Sequence, residues 1–506
     1  MGMLNNIFKW IILERTKQIE EFSLRPFLMQ ERLLVDLLSA GSNTEIGKLF
    51  CFKYIKNQKE FADKFPIQDY NSLKSYIERT MAGEQNILWP TPISWFAKSS
   101  GTTDDKSKFI PVSKESLMDC HYKAGKDMYA IYYNLYPHAN LVDGKSLVLG
   151  GSHTINKINE NSFSGDLSAI LMQNLPLWAE AKRTPVLSIA LMDNWEEKIV
   201  RIAEATLKQK ITNILGVPTW TVILFRKLLE LTGKKNISEI WPMLELYVHG
   251  GVSFAPYRDL FREFLPSDNM HYMETYNASE GFFAIQDSAT SDDMLLMLDY
   301  GIYYEFIPSE DLDKDKPRAI TLEEVELHKN YAVIITTNSG LWRYNIGDTI
   351  RFTSREPFRI KVSGRIKHFI NAFGEELIIE NAEKALSVAC QTTNSIVRDF
   401  TAAPVYFSKD GNGAHEWLIE FEKDPEDFQA FVNQLDETLK QLNSDYEAKR
   451  FKDLALRKPI VRKLEKGAFY EWMKKRGKLG GQNKVPRLSN SREYVDDILM
   501  FTGENL

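Results

Sequence analysis

Three cysteines in 506 residues, Cys51, Cys120 and Cys390, are too few, too scattered and of the wrong parity for a disulfide framework or a CxxC metal site. Their scarcity points to a reducing, cytoplasmic setting in which each thiol is a small buried apolar group. Positive charge is also in short supply. The 63 Lys and Arg against 69 Asp and Glu leave a net charge of -6, which excludes the basic footprint of a bulk nucleic-acid binder. No uninterrupted apolar stretch is long enough to span a bilayer. The run FKWIILERTKQIEEF from Phe8 is broken by Lys9, Glu14, Arg15 and Lys17 and reads as an amphipathic helix, not a secretory segment. Gly2 follows Met1, but Asn6 stands where a myristoylation signal wants Ser or Thr, so no membrane anchor is expected. Internal repeats and low-complexity segments are absent, and the eight histidines are scattered.

What is present is an ordinary globular composition, 43% hydrophobic and 26% charged, in a chain long enough for two domains. Helical periodicity with many charges fills residues 1 to about 85 and stops at WPTP, Trp89 to Pro92. Short β-type runs then alternate with helical ones: SLVLGG near Leu147, ELYVHGG near Tyr247, YAVIITT near Val333. The alternation predicts an α/β fold with helices packed on sheets. NYAVIITTNSGLWRYNIGDTIRFTS reads as two strands around a turn, and the pattern restarts near Phe358 with the strands FRIKVSG and KHFINAF, the helix ENAEKALSVAC, the strand EWLIEFEK and the helix EDFQAFVNQLDETLKQL. The expected division is a large N-terminal domain, residues 1–357, and a small α+β C-terminal domain, residues 358–506.

Five stretches carry chemistry. In FAKSSGTTDDKSKFIPVS, Ser99, Ser100, Thr102 and Thr103 supply hydroxyls, and Gly101 lets backbone amides approach an anion. Lys108, just before an apolar strand, is the better placed of two lysines to add positive charge. The loop has neither Walker nor GxGxxG spacing, and taken alone it is equally a Ser/Thr-rich surface turn. In METYNASEGFFAIQ, Tyr276 offers a flat face for a purine, Ser279 a hydroxyl and Glu280 a hard oxygen for Mg²⁺, or else a solvated carboxylate at a strand end. Upstream, Gly250 and Gly251 end a β-type run where bare backbone can lie against a base. Asp348, beside Gly347 in LWRYNIGDTIRF, sits in a turn between strands and suits paired ribose hydroxyls, or is an Asx turn. Arg365, after Gly364, can reach a phosphate or ribose. Lys484, in KLGGQNKVPRLSN, is either solvated or brings an ammonium to a developing acyl phosphate.

Taken in order, SSGTT, YNASEG, YNIGD, SGRI and the late lysine resemble the adenylate-forming superfamily of acyl-CoA synthetases, adenylation domains and luciferase. The doubled serine of SSGTT, YNASEG in place of YGxTE, KVPR, YYEFIP and LNSDYEAKR resemble most closely the Gretchen Hagen family of auxin-responsive acyl acid amido synthetases. The likeness covers about Trp89 to Arg487. It implies a large nucleotide-binding domain, a smaller mobile C-terminal domain and a cleft between them. By that likeness Ser99 to Thr103 and Lys108 hold phosphates, and Gly250, Gly251 and Tyr276 flank the adenine. Glu280 takes Mg²⁺, Asp348 and Arg365 hold ribose and phosphates, and Lys484 serves adenylation. The expected substrates are ATP, a carboxylic acid and an amino acid, with no nucleic-acid or membrane partner. Two rival readings are an acyl-CoA synthetase and a non-catalytic nucleotide-binding protein of the same fold. Asp104 and Asp105 depart from the family's small residues, and the first eighty residues match nothing diagnostic. An apolar acid pocket is expected from Cys120 to Tyr136 and from Phe163 to Trp178, residues that plain core would also explain.

Overall fold

The computed structural model describes residues 3–100, 107–150, 155–192, 194–252, 254–312, 314, 316–365, 369–408, 411–476 and 487–503; the side chains of residues 3–13 and of Ser100, Ser107, Trp178, Trp195, Pro256 and Arg365 are outside that description. The N-terminal region folds as expected into helices, Met3–Leu24, Pro26–Gly41, Glu45–Leu49, Gln58–Lys64 and Tyr70–Ala82. The last begins where the Asp69 carboxylate accepts the Ser72 amide at 2.8 Å and ends at Gly83, whose φ of +114° only glycine adopts cheaply. None of the described helices is long and apolar enough to cross a membrane.

An 11-stranded sheet forms the centre of the molecule. One half is parallel: Arg183–Thr184, Lys145–Val148, Ile211–Leu215, Leu246–Gly250 and His271–Ala278. From His271–Ala278 onward every pairing is antiparallel, through Gly281–Ile285, Met294–Leu296, Phe358–Arg365, Tyr344–Arg355 and Asn330–Thr337 to Ile302–Pro308. SLVLGG, ELYVHGG and YAVIITT thus all become strands of one sheet. Phe358–Arg365 pairs on both sides within it, so FRIKVSG is built into the large sheet although the sequence pattern restarts there. Of KHFINAF, only Phe369–Ile370 is a described strand.

Beyond it, Ile396–Val405, Ala414–Lys423 and Ile460–Leu464 form a three-stranded sheet backed by the helices Ile379–Thr393 and Phe428–Leu442. The N-terminal helices and Tyr122–Leu135 cover one face of the large sheet. Across the other face a second apolar cluster runs without a break from Trp220, Phe225 and Phe261 into Phe373, Phe407 and Trp417 of the C-terminal region.

Candidate functional site

Parallel strands leave a crevice at their carboxyl ends, and a sheet that changes direction leaves it open. Here Leu246–Gly250 and His271–Ala278 end side by side, with Gly250 opposite Thr275, where the parallel half gives way to the antiparallel half. A cavity of about 790 Å³ opens there. Ser99, Lys108, Gly251, Tyr276, Ser279, Glu280 and Asp348 line it, and Phe369, Asn371 and Glu376 of the C-terminal region close it.

Local chain geometry brings these residues together. Ser99 and Lys108 are direct partners in the ladder of Trp95–Ser100 and Ser107–Val112, so the phosphate-loop candidate closes a hairpin. Gly101, Thr102, Thr103 and Lys484 lie outside the described residues, as do the side chains of Ser100 and Arg365. Ser279 and Glu280 are the two-residue tip of the hairpin that pairs Ala278 with Gly281. Asp348 is not in a turn between strands. It sits inside Tyr344–Arg355 at a register shift, where Gly347 at φ +86° donates its amide to Asn345 Oδ1 at 2.9 Å and bulges the strand toward the cavity. The bulge sets Asp348 opposite Arg365 on the next strand.

The two glycines differ. A Cβ on Gly250 would fall 2.4 Å from the Thr275 carbonyl oxygen, so strand packing demands that glycine, and it does not line the cavity. Gly251 is held by φ +78° with nothing nearer than Val217 Cγ1 at 3.6 Å, and its open side faces the cavity.

The polar groups are coupled. The Tyr276 hydroxyl donates to Asp348 Oδ2 at 2.8 Å, and the Tyr276 ring packs against Phe283 with centroids 4.8 Å apart. A carboxylate is an acceptor-only group, the chemistry that vicinal hydroxyls require. Burial pushes the Glu280 carboxyl up to about 7; Asp348 and Glu376 add to the shift and Lys108 opposes it. Lys108 stands 5.9 Å from the Tyr70 ring centroid; against desolvation, the Ser72 hydrogen bonds hold the nearby Asp69 carboxyl below its ordinary value, with Lys108 a smaller contributor. No cluster of three ligating side chains exists among the described residues.

Among the cavity residues that sequence reasoning missed are Glu274, Asn371, Tyr406 and Asn490. Glu274, pushed up to about 7 chiefly by burial, precedes Tyr276 by two positions, and strand alternation was the available signal. Asn371 donates from Nδ2 to the Gly251 carbonyl at 2.9 Å and receives the Glu376 amide at 3.3 Å. Tyr406 and Asn490 also reach the cavity from the C-terminal region, and the Tyr406 hydroxyl donates to the Asn490 carbonyl at 2.8 Å. These three depend on how the C-terminal region docks, which no local pattern encodes. Of the expected acid-pocket segments, Leu167, Ser168 and Leu171 line the cavity, whereas Tyr132, Leu135 and Tyr136 line a separate cavity of about 200 Å³. His249 is buried and pushed down to about 3 by burial and by Arg258, so it stays neutral.

Comparison with known proteins gives matches to the GH3 family N-terminal domain over residues 15–270, its central domain over 295–365 and its C-terminal domain over 380–493. The helical residues before Trp89 therefore lie largely inside a family domain, although no motif marks them. The indole-3-acetic acid-amido synthetase GH3.3 of Arabidopsis thaliana is 23% identical over 93% of this chain and 90% of its own. The jasmonoyl--L-amino acid synthetase JAR4 of Nicotiana attenuata is 24% identical over 76% of each. Among solved structures, GH3.15 acyl acid amido synthetase superposes with a TM-score of 0.60 at 18% identity, covering 96% of this chain and 95% of that one. A 2-hydroxyisobutyryl-CoA ligase holding 2-HIB-AMP and CoA superposes at 0.56 and 12% identity, over 94% and 92%.

Proposed function

The chain belongs to the GH3 family, and on that premise we propose that it is a cytoplasmic acyl acid amido synthetase, which adenylates a carboxylic acid with ATP and passes the acyl group to an amino acid. The observation that carries the reading is convergence: seven candidate residues from widely separated stretches of sequence line one cavity at the ends of the parallel strands.

In the first half-reaction an oxygen of the substrate carboxylate attacks the α-phosphorus of ATP and pyrophosphate leaves. In the second the uncharged amine nitrogen attacks the acyl carbon, the bond from that carbon to the AMP oxygen breaks, AMP departs with the electron pair, and the proton lost from the nitrogen passes to solvent. Neither step needs a covalent nucleophile from the protein, so its work is positioning and charge neutralisation. Ser99 and Lys108 serve the phosphates together with Ser100, Gly101, Thr102 and Thr103. Gly251 and Tyr276 bracket the adenine, and Glu274 stands where an acceptor for its amino group is useful. Asp348, oriented by Tyr276, takes the ribose hydroxyls, and Arg365 on the neighbouring strand takes phosphate or ribose. Mg²⁺ would be held by Glu280 and would neutralise phosphate charge. Lys484 serves adenylation by neutralising charge on the attacking carboxylate and the α-phosphate. The proposed domain division is residues 1–357 and 358–506, adjusted so that Phe358–Arg365 goes with the large domain, to which its strand is paired.

The test is pyrophosphate release across a library of carboxylic acids, each with and without amino acids and with coenzyme A as a control acceptor, and mass spectrometry of the products. Amide together with AMP is the expected result. Thioester without amide would establish an acyl-CoA synthetase instead, and no release with any acid would favour the non-catalytic reading.

A further inference from the structure

The strands Phe369–Ile370 and Leu377–Ile378 pair, so residues 371–376 form the loop of a small hairpin. Both ends of that loop reach the reaction cavity, which Asn371 and Glu376 line. The Glu376 amide donates to Asn371 Oδ1 at 3.3 Å, and Asn371 Nδ2 in turn donates to the Gly251 carbonyl at 2.9 Å. The loop is not a relaxed one. Gly374 turns at φ +87°, and Glu376, which carries a Cβ, stands at φ +41°. A non-glycine residue in the left-handed region persists only where its surroundings over-determine it.

What over-determines it lies inside the loop. Glu375 is 0% exposed, and its carboxylate turns back on its own chain: Oε1 accepts the Ala372 amide at 3.3 Å and Oε2 the Phe373 amide at 2.7 Å. A group that already accepts two amides is an acceptor, so His415, on the strand Ala414–Lys423, donates from Nε2 to Oε1 at 2.7 Å. The imidazole is buried beside the rings of Phe373 and Tyr446, with centroids 6.2 and 5.6 Å away. Its Nδ1 has no partner among the described residues, so the polar work of the ring is done on Glu375. From the other side, elements of the N-terminal region hold the same two residues by their carbonyls: the Tyr257 hydroxyl donates to Ala372 at 2.8 Å and Thr219 Oγ1 to Phe373 at 3.2 Å. The amides are thus fixed by one region of the chain and the carbonyls by the other.

Burying a carboxylate is costly unless its partners are all in place, and an apolar pair of the same volume would fill a core at least as well. An apolar pair could not hold amides, and the amides held here belong to the loop that closes the cavity. We propose that Glu375 and His415 are positioning residues of the reaction cavity. Glu375, oriented by His415, sets the shape of the loop 371–376 and thereby keeps Asn371 against the backbone of Gly251, on the cavity wall. The inference rests on the ligase reading for the occupant of that cavity, a nucleoside triphosphate, but its effect is measured as nucleotide binding without turnover.

The experiment is calorimetric titration of the full chain with α,β-methylene-ATP and Mg²⁺, a nucleotide whose bridging carbon blocks the release of pyrophosphate. His415→Phe keeps a ring and removes the donor, and is expected to weaken binding about tenfold, the loss typical of a hydrogen bond to a charged group. His415→Gln loses the ring but places an amide nitrogen where Nε2 stands, and should bind within about threefold of the wild type. A merely structural role predicts the reverse order, because phenylalanine repacks beside Phe373 and Tyr446 and glutamine does not. In an Asn371→Ala background His415→Phe should cost no further affinity, since the contact it acts through is gone. Glu375→Gln, which leaves one acceptor oxygen among three donors, should weaken binding as His415→Phe does, so a folding failure of one variant leaves the other to decide. The reverse order, a strictly additive double variant, or wild-type affinity in both His415→Phe and Glu375→Gln would overturn the proposal, as would a wild-type protein that binds no nucleotide. Binding that follows the expected pattern in a protein that adenylates no acid would overturn the ligase reading and leave the positioning role standing.

Discussion

Removing one oxygen atom tests the coupling at the centre of the site. Tyr276 and Asp348 are 7% and 8% exposed, and the hydroxyl meets the carboxylate at 2.8 Å. Hydrogen bonds to a charged partner contribute about 1.5–3 kcal/mol, and the carboxylate left behind in Tyr276→Phe forfeits that interaction in a place water enters poorly. The ring stays packed on Phe283, so an adenine bracketed by position 276 loses little stacking. We expect unfolding stability at neutral pH to fall by about 1.5–3 kcal/mol in urea titrations. Misorientation of Asp348 should raise KM for ATP about tenfold in pyrophosphate exchange, with kcat nearly unchanged, because the ribose contact is the same in the ground and transition states. Asp348→Asn supplies the second arm of a cycle, and the double variant should be less impaired than the sum of the two singles. A Tyr276→Phe protein with wild-type stability and KM, or a strictly additive double variant, would refute the reasoning.

Glu280, held at about 7 mainly by burial, is largely protonated below that pH, and metal binding must displace the proton. Apparent affinity for Mg·ATP should therefore rise about tenfold per pH unit up to about 7 and then level off, and Glu280→Gln should flatten the profile while weakening binding, as measured by calorimetry. The sign reverses for the unliganded protein. A raised carboxyl contributes stability that is complete below its unfolded value near 4.5 and is lost as pH climbs through about 7, so unfolding titrations of wild type and Glu280→Gln should run together below about 4.5, where the carboxyl is neutral like the amide, and the wild type should lose stability relative to the variant as pH rises to about 7. Gly250→Ala, with its Cβ 2.4 Å from the Thr275 carbonyl oxygen, should destabilise by about 1–3 kcal/mol or more. Gly251→Ala should cost about 1–2 kcal/mol for its φ alone, and a denaturant midpoint series will separate the two. Arg343→Met should lower stability by about 3–5 kcal/mol, because it strands the buried Glu305 that Arg343 meets at 2.9 and 3.0 Å; a shift smaller than about 1 kcal/mol would refute the assignment.

The residues that were legible in the sequence share a physical property: their role is set by the backbone on either side of them. Glycine at a strand end, hydroxyls around a glycine and a carboxylate at a hairpin tip are local signals, which is why SSGTT, YNASEG and YNIGD could be found before any fold was known. Even so, Asn-Ile-Gly-Asp has turn composition and points Asp348 to a turn that the chain does not make. The strand runs through it because Thr349 and Ile350 pair on both sides, and the glycine is absorbed as a bulge. FRIKVSG misleads for the converse reason. Its alternation marks a strand correctly, but a strand's sequence does not say which sheet receives it. Glu305 lies in YYEFIP, a motif of the family likeness, and Arg343 immediately precedes another, YNIGD. Their pairing is structural: Arg343 also donates to the Phe65 carbonyl at 2.6 Å and ties the N-terminal helices to the sheet. Asn371, Glu376 and Tyr406 were not legible, because each acquires its neighbours only when two distant parts of the chain dock.

That docking bears on how the site can work. Asn371 donates to the Gly251 carbonyl at 2.9 Å, the Tyr257 hydroxyl to the Ala372 carbonyl at 2.8 Å and Thr219 Oγ1 to the Phe373 carbonyl at 3.2 Å. Phe373 and Phe407 are buried in the same apolar cluster as Trp220 and Tyr257. A rotation of the C-terminal region as one block would expose those aromatic faces at about 1.5–3 kcal/mol for each fully uncovered side chain, and would break hydrogen bonds contributing about 0.5–1.5 kcal/mol each. A loosely tethered domain would not pay such a penalty, so any large swing here must draw on differential ligand binding. The ligand is positioned to supply it, because Glu376 and Asn371 line the reaction cavity. Filling the cavity changes the charge balance at the same surface that holds the two regions together. The energy of domain arrangement and the energy of substrate binding are therefore parts of one equilibrium, and a substitution at Asn371 acts on both.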